Sequence, residues 1–236
     1  MILERCISYY RGLHFTACIE FLDIPIINKF SVSSLCGNKM LTSIILKKNN
    51  IPTPKTYFSF SADAALENIE KIGYPLIIKP VVGSWGRSVI PLKDRDTADA
   101  IIEQRGITDG PLDRIFYLQE VVDRPPIDIR VITVNDRPIA AMYRKSSGGF
   151  KTNVALGADP EICNITNEIE DLCTKASKAV GGGILGIDLM EDKKRGLMAV
   201  SYTQLTLPTK RMVSISALAT TRDTHDIPTT MTQYLA

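Results

Sequence analysis

Residues 127–144 constrain the fold of this chain more than any other stretch. Ile127-Asp128-Ile129-Arg130-Val131-Ile132-Thr133-Val134 is a strand-length run rich in β-branched residues. It turns at Asn135-Asp136 and returns through Pro138 to Arg144. Two extended runs joined by so short a turn pair antiparallel. Helical patterns flank the hairpin. Ser61 opens one, with Leu66, Ile69 and Ile72 in register and Gly73 closing it. Ile169, Leu172, Cys173, Ala176 and Val180 mark one side of another over 167–180, which ends at Gly181-Gly182-Gly183. Antiparallel hairpins interleaved with helices predict an α+β architecture and exclude a simple parallel wound sheet.

Other segments fit that frame. A helix is expected over 8–22 and a short strand at Ile24–Asn28. A helix opens near Leu35–Lys39, capped by Asn38, with Leu41, Ile44 and Ile45 as its apolar face. Ile51-Pro52-Thr53-Pro54 forces an extended connector. Tyr74–Val82 reads as a buried strand, Val89–Leu92 as a second, Phe116–Val122 as a third and Ile184–Met190 as a fourth. Asp96 begins a short helix between them. Residues 201–236 differ in character: nine threonines, no asparagine, no glutamate, and no periodic pattern. That tail is not expected to belong to the preceding domain.

Composition removes whole classes. Twenty-eight basic residues against 26 acidic leave a net charge of +2, so no global field marks a nucleic-acid binder. No run of 18 apolar residues suggests a membrane span. The first residues lack the basic and apolar regions of a signal peptide, so a cytoplasmic location is expected. Five scattered cysteines, never spaced CxxC, indicate free thiols, and two histidines leave little room for zinc. The cysteines, His14 and His225 read as structural.

Each candidate functional residue has a plain reading beside a chemical one. Lys79 lies in an apolar strand, where a buried ammonium needs an anion; the alternative is an edge-strand lysine reaching solvent. Gly83-Ser84-Trp85-Gly86-Arg87-Ser88 joins two strands. Its glycines let backbone N–H groups approach phosphate oxygens, and a simple turn is the alternative. It is no P-loop, because it leads into no helix. Gln119-Glu120-Val121-Val122 ends a strand and offers backbone groups to a base edge. Asp128 and Arg130 share one strand face, and with Arg144 they read as an ordinary surface ion pair. Ser146–Asn153 is a polar loop of the kind that carries ligand contacts or none. Asp188 in an apolar strand needs a partner, either a magnesium ion bound to phosphate or a structural donor.

The order of these signals resembles the ATP-grasp superfamily. Ser34-Leu35-Cys36-Gly37-Asn38-Lys39, Gly83-Ser84-Trp85-Gly86-Arg87 and Asn153-Val154-Ala155-Leu156-Gly157 resemble its RimK-like branch, in particular the LysX and ArgX group of amino-acid ligases. The resemblance runs from about residue 5 to about 198. It implies a two-subdomain ATP-grasp fold over 36–118 and 119–198, after the remnant of an α/β domain at 1–35. It also implies ATP and Mg2+ as cofactors. The reaction would phosphorylate the C-terminal glutamate of a small acidic amino-group carrier protein. The amino group of α-aminoadipate or glutamate would then attack the acyl phosphate. A homo-oligomer is implied for the intact parent.

Residue by residue, Lys39 and Lys79 match the nucleotide-binding lysines, and Gly83, Ser84, Trp85, Gly86 and Arg87 the phosphate-covering loop. Gln119, Glu120 and Val122 match the adenine hinge, and Asp128 the ribose position. Arg144 matches the phosphate-side arginine, Lys151 and Asn153 the amino-acid segment, and Asp188 the first magnesium ligand. One departure matters. The second metal motif of the family is a glutamate and an asparagine two residues apart on the next strand. Here that place reads Leu197-Met198-Ala199-Val200-Ser201-Tyr202-Thr203-Gln204, without a carboxylate. Impaired metal binding is therefore expected, and a tail foreign to the fold from residue 199, as from a frameshift or a chimaeric reading frame. A RimK-type protein glutamate ligase and a nucleotide-binding module without turnover are the two rival readings.

Overall fold

In the computed structural model the described residues are 1–4, 6, 8–83, 86–108, 110–145 and 159–204. β1 (Ile2–Leu3), α1 (Tyr9–Phe21) and β2 (Ile26–Ile27) form a small unit in which the two strands pair in parallel. Ser8 caps α1 by accepting from the Arg11 amide. The side chain of Asn28 ties this unit to the body: it donates to the Ile184 carbonyl at 2.9 Å and accepts from the Ile184 amide at 2.6 Å. Gly183 makes room for it, since a Cβ there would lie 2.1 Å from Asn28 Oδ1.

α2 (Phe30–Gly37), which the sequence reading does not anticipate, and α3 (Lys39–Lys48), which Asn38 caps as expected, follow. The buried face of α3 is Thr42, Ser43 and Leu46, whereas Ile44 is exposed. The two hydroxyls are tolerated because Thr42 donates to the Leu35 carbonyl and Ser43 bonds the Tyr117 hydroxyl. β3 (Thr56–Ser59), α4 (Ala62–Ile72), β4 (Leu76–Lys79), β5 (Ile90–Leu92), α5 (Arg95–Gly106) and β6 (Phe116–Glu120) then build one lobe. Its sheet is antiparallel in the order β3-β6-β4-β5. Ser61 caps α4 as expected, while α5 starts earlier than the sequence suggested, because Asp94 accepts from the Thr97 amide and hydroxyl. Leu76, Ile78, Leu92, Phe116 and Leu118 of the sheet pack on Ala65, Ile69, Ala98 and Ile102 of the helices.

β7 (Ile127–Val134), β8 (Arg137–Lys145), β9 (Asp159–Ile162), α6 (Asn167–Val180), β10 (Ile184–Asp192) and β11 (Gly196–Gln204) build the other lobe, an antiparallel sheet ordered β11-β10-β7-β8-β9. The expected hairpin is present, with Asp128 opposite Arg144. α6 buries the apolar set expected of it. Its core also takes in Val32, Cys36, Leu46 and Ile51, so α2 and α3 pack on this sheet rather than on the lobe that follows them in sequence. The boundary expected at residue 198 falls inside β11. Ala199, Val200 and Tyr202 are buried there, and the Tyr202 hydroxyl donates to the Ala176 carbonyl at 2.8 Å. Among the described residues no helix is long and apolar enough to cross a membrane.

Candidate nucleotide and ligase site

α3 is placed by its first residues. Asn38 accepts from the Met40 and Leu41 amides at 3.0 and 3.2 Å, and the Lys39 amide donates to the Val81 carbonyl at 2.9 Å. This docks the helix start beside the segment after β4, and Lys39 Nζ donates to the Gly83 carbonyl at 2.5 Å. Lys79 ends β4, which lies between β6 and β5, so the edge-strand reading of this lysine is wrong. Its ammonium donates to Gln119 Oε1 at 2.5 Å. The Gln119 amide nitrogen donates in turn to Thr56 Oγ1 at 3.0 Å and the Tyr117 hydroxyl at 2.9 Å, which aims the carbonyl oxygen at the lysine. The side chain of Gln119 is thus a buried group that positions the Lys79 ammonium. Burial lowers Lys39 to about 8. Burial, with the Lys39 and Arg124 cations close by, lowers Lys79 to about 7.

The loop between β4 and β5 begins at Gly83 (φ +146°) and passes through Gly86 (φ +67°), conformations that a side chain would strain. Arg87 is exposed on it, and Ser84 and Trp85 lie outside the described residues. Arg105, near the end of α5, donates to the Lys79 carbonyl at 3.3 Å and the Ser88 carbonyl at 3.4 Å, fastening both ends of the loop. Sequence reasoning missed Arg105, since nothing local distinguishes it from a surface arginine at a helix C-terminus.

The second lobe contributes a charge network. Arg144 grips Asp128 through Nε at 2.6 Å and Nη2 at 2.9 Å, and its Nη2 also reaches Asp188 Oδ1 at 2.8 Å. Arg130 Nη1 donates to the same Asp188 oxygen at 2.8 Å and to Thr203 Oγ1 at 3.2 Å. Ser201 donates to Asp188 Oδ2 at 2.9 Å. The surface ion pair expected of this hairpin is therefore wrong: the Asp128 and Arg144 side chains are 4% and 8% exposed. Burial pushes the Asp188 carboxyl up, but Arg130 and Arg144 outweigh it and hold the group below its ordinary value. Gly186 lets Arg130 lie flat, since a Cβ there would meet its guanidinium at 2.6 Å.

The remaining expected residues separate. Glu120 Oε1 accepts from the Lys55 amide at 2.8 Å and from Arg195 Nη1 at 2.6 Å, so its carboxylate fastens β6 to the turn between β10 and β11. Val122 is half-buried on the following segment. Lys151 and Asn153 lie outside the described residues. A cavity of about 280 Å³ lined by Lys55, Tyr57, Tyr74, Glu120 and Val121 includes none of Lys39, Lys79 or Asp188.

The magnesium ion implied by the resemblance does not fit the donors present. Mg2+ requires oxygen ligands in an octahedral shell, carboxylates above all. Among the described residues Asp188 is the carboxylate bonded to Ser201, and its two oxygens already accept from two arginines and that serine. Among the described residues no three His, Cys, Asp or Glu side chains gather as a metal site.

Comparison with known proteins agrees with the fold and sharpens the class. The chain is 37% identical over 198 residues to the alpha-aminoadipate–LysW ligase LysX of Saccharolobus solfataricus, covering 84% of this chain and 72% of that protein. It is 34% identical over 202 residues to the glutamate–LysW ligase ArgX of Sulfolobus acidocaldarius, covering 85% and 72%. Its fold superposes on the crystal structure of a RimK domain ATP-grasp protein from Sphaerobacter thermophilus with a TM-score of 0.72 and 20% identity, over 92% of this chain and 76% of that one. The RimK-like ATP-grasp domain profile matches residues 36–211, and the chain belongs to that family.

Proposed function

We propose that the chain is an ATP-dependent carboxylate–amine ligase of the carrier-protein type. The observation that carries this reading is a pair of cations in no ion-pair contact, with Asp188 the carboxylate that acts on Lys79 from a distance. Lys39 and Lys79 lie in electrostatic range of one another, and among the described residues neither forms an ion pair. A polyphosphate supplies the missing charge, and the glycines Gly83 and Gly86 leave backbone open to its oxygens. The buried Asp128–Arg144–Asp188–Arg130 network stands on the far side. Arg144 and Arg130 there stabilise negative charge on the transferring phosphoryl group.

In the proposed reaction a carboxylate oxygen attacks the γ-phosphorus of ATP, and the bond to the bridging oxygen breaks to release ADP. The amine then attacks the acyl carbon, losing a proton to solvent, and inorganic phosphate leaves as the amide forms. The carboxylate would be the C-terminal glutamate of a LysW-like carrier, and the amine that of α-aminoadipate or glutamate, after the names of the relatives. Incubation with ATP, such a carrier and either amino acid, followed by mass spectrometry, tests it. The carrier should gain one amino-acid residue slowly, and only when all three are present. No mass gain, either with this chain or with its Ser201→Glu/Thr203→Asn variant, overturns the reading.

The lysines also set a pH dependence. In the free protein Lys79 loses its proton near pH 7 and Lys39 near pH 8, whereas beside a polyphosphate both hold it. ATP affinity is therefore expected to fall as pH rises from 6.5 to 9, with proton uptake seen by calorimetry in buffers of different ionisation enthalpy. Unfolded lysines keep their proton to about 10.4. The ligand-free chain therefore gains stability from these two groups as pH rises from about 7 towards 10, and loses it on the way down. A dissociation constant flat over that range would remove the lysines from the site.

A further inference from the structure

We propose that this site binds ATP as the free, metal-less polyanion, with arginines holding the place of a divalent cation. The inference rests on the nucleotide reading above and concerns what neutralises the phosphates. Lys39, Lys79, Arg130 and Arg144 form one electrostatic cluster with Arg124, and the carboxylates that its Arg130 and Arg144 grip are Asp128 and Asp188. With Asp128 and Asp188 balancing two arginines, the cluster carries an excess of positive charge below about pH 7, where both lysines hold their protons. Free ATP bears two more negative charges than its magnesium complex and matches that excess better.

A metal entering here meets three obstacles. Asp188 Oδ1 is shared by two guanidinium groups, so a cation at that oxygen must displace an arginine from a buried ion pair and leave its charge uncompensated. Asp188 Oδ2 accepts from Ser201, and the neighbouring side-chain donor on the same strand face is the neutral hydroxyl of Thr203. Asp128 is held bidentately by Arg144 and lies in range of Arg124. Two hydroxyls and a neutralised carboxylate leave nothing to draw Mg2+ from water, which it gives up reluctantly. Two guanidinium forks, by contrast, offer the planar paired donors that suit phosphate oxygens.

The test is calorimetric titration of the full chain with ATP in EDTA and in millimolar magnesium chloride. Affinity in EDTA should be at least equal to that in magnesium, and tighter by a factor on the order of ten at low ionic strength, where charge matching counts most. Inorganic triphosphate should compete, and affinity should fall from ATP to ADP to AMP. A Mn2+ titration without nucleotide, followed by electron paramagnetic resonance, should show no protein-bound metal. ATP binding that appears only with magnesium, or a protein-bound Mn2+ signal, overturns the inference and leaves the nucleotide reading standing. No ATP binding in either condition overturns both.

Discussion

Replacing Lys79 with alanine or methionine is expected to weaken ATP binding by about 10²- to 10³-fold, the effect of removing one partner from a desolvated charge pair. The cost arises because triphosphate oxygens left facing Gln119 Oε1 and the Tyr117 ring meet an acceptor and a π face instead of a cation. The methionine variant separates function from folding. Its side chain keeps much of the lysine stem's volume, and it relieves the burial that lowers Lys79 to about 7. Its melting temperature should therefore equal or exceed that of the parent, while ATP affinity collapses. The loss should be similar for ATP and inorganic triphosphate, since Lys79 recognises charge and not the base. Unchanged affinity in Lys79→Met, in a variant that melts normally, would take this lysine out of the site.

Much of the fold was legible where one local signal sufficed. The hairpin at 127–144 is written in β-branched residues and a two-residue turn; α4 and α6 are written in their caps and apolar spacing. What was not legible depends on distant partners. α2 was missed because its buried residues, Val32 and Cys36, pack on the core of a lobe far along the chain, although the Asn38 cap that follows it was legible. β9 is a four-residue edge strand of mixed polarity and carries no period of its own. β11 was obscured by a register shift opposite Asp188 and Leu189, where Ser201 pairs with Asp188 but Ala199 with Leu189. Such a bulge changes the phase of in-and-out alternation within one strand, so Leu197, Met198, Ala199 and Val200 are all buried in sequence. A run of four apolar residues followed by hydroxyls then reads as the end of a domain.

For the site, the residue types were legible and their partners were not. Lys79 and Asp188 stood out because each places charge in an apolar strand, Lys39 entered only through the resemblance, and the structure gives each a defined neighbour. Asp128 and Arg144 were read as surface ions because a strand with mixed residues on both faces gives no hint of which side a second sheet layer or ligand covers. Arg105, Arg124 and Gly186 act only through tertiary contacts: one pins a loop, one adds charge, and one leaves space for Arg130. The side-chain partners of Gln119 and Glu120 were hidden for the same reason, since a strand end reads alike whether its side chains face solvent, a lysine or another lobe.

The Ser201→Glu/Thr203→Asn pair should convert a site that repels divalent metal into one that holds it. The bulge in β11 brings residues 201 and 203 onto the face of Asp188, within reach of its Oδ2 and of Arg130 respectively. A glutamate at 201 would place a second carboxylate beside the first, and an asparagine at 203 would add a neutral oxygen, the donors Mg2+ prefers. Arg130 and Arg144 then share three acids in place of two, so an oxygen of Asp188 and one of the new glutamate become free for metal without stranding a buried guanidinium. Mn2+ should bind in the presence of ATP, and ATP affinity, not improved by magnesium in the parent, should come to depend on it. Carrier- and amino-acid-dependent ADP release should rise by about 10²- to 10³-fold, the rate equivalent of a few kcal/mol of stabilisation on the transferring phosphoryl group. Ser201→Gln/Thr203→Asn supplies the control of equal size without the charge, and it should remain at the parental rate. If the glutamate variant folds, binds ATP and still neither retains Mn2+ nor releases ADP faster than the glutamine variant, the face shared by Asp188 and residues 201 and 203 is not where phosphoryl charge is stabilised.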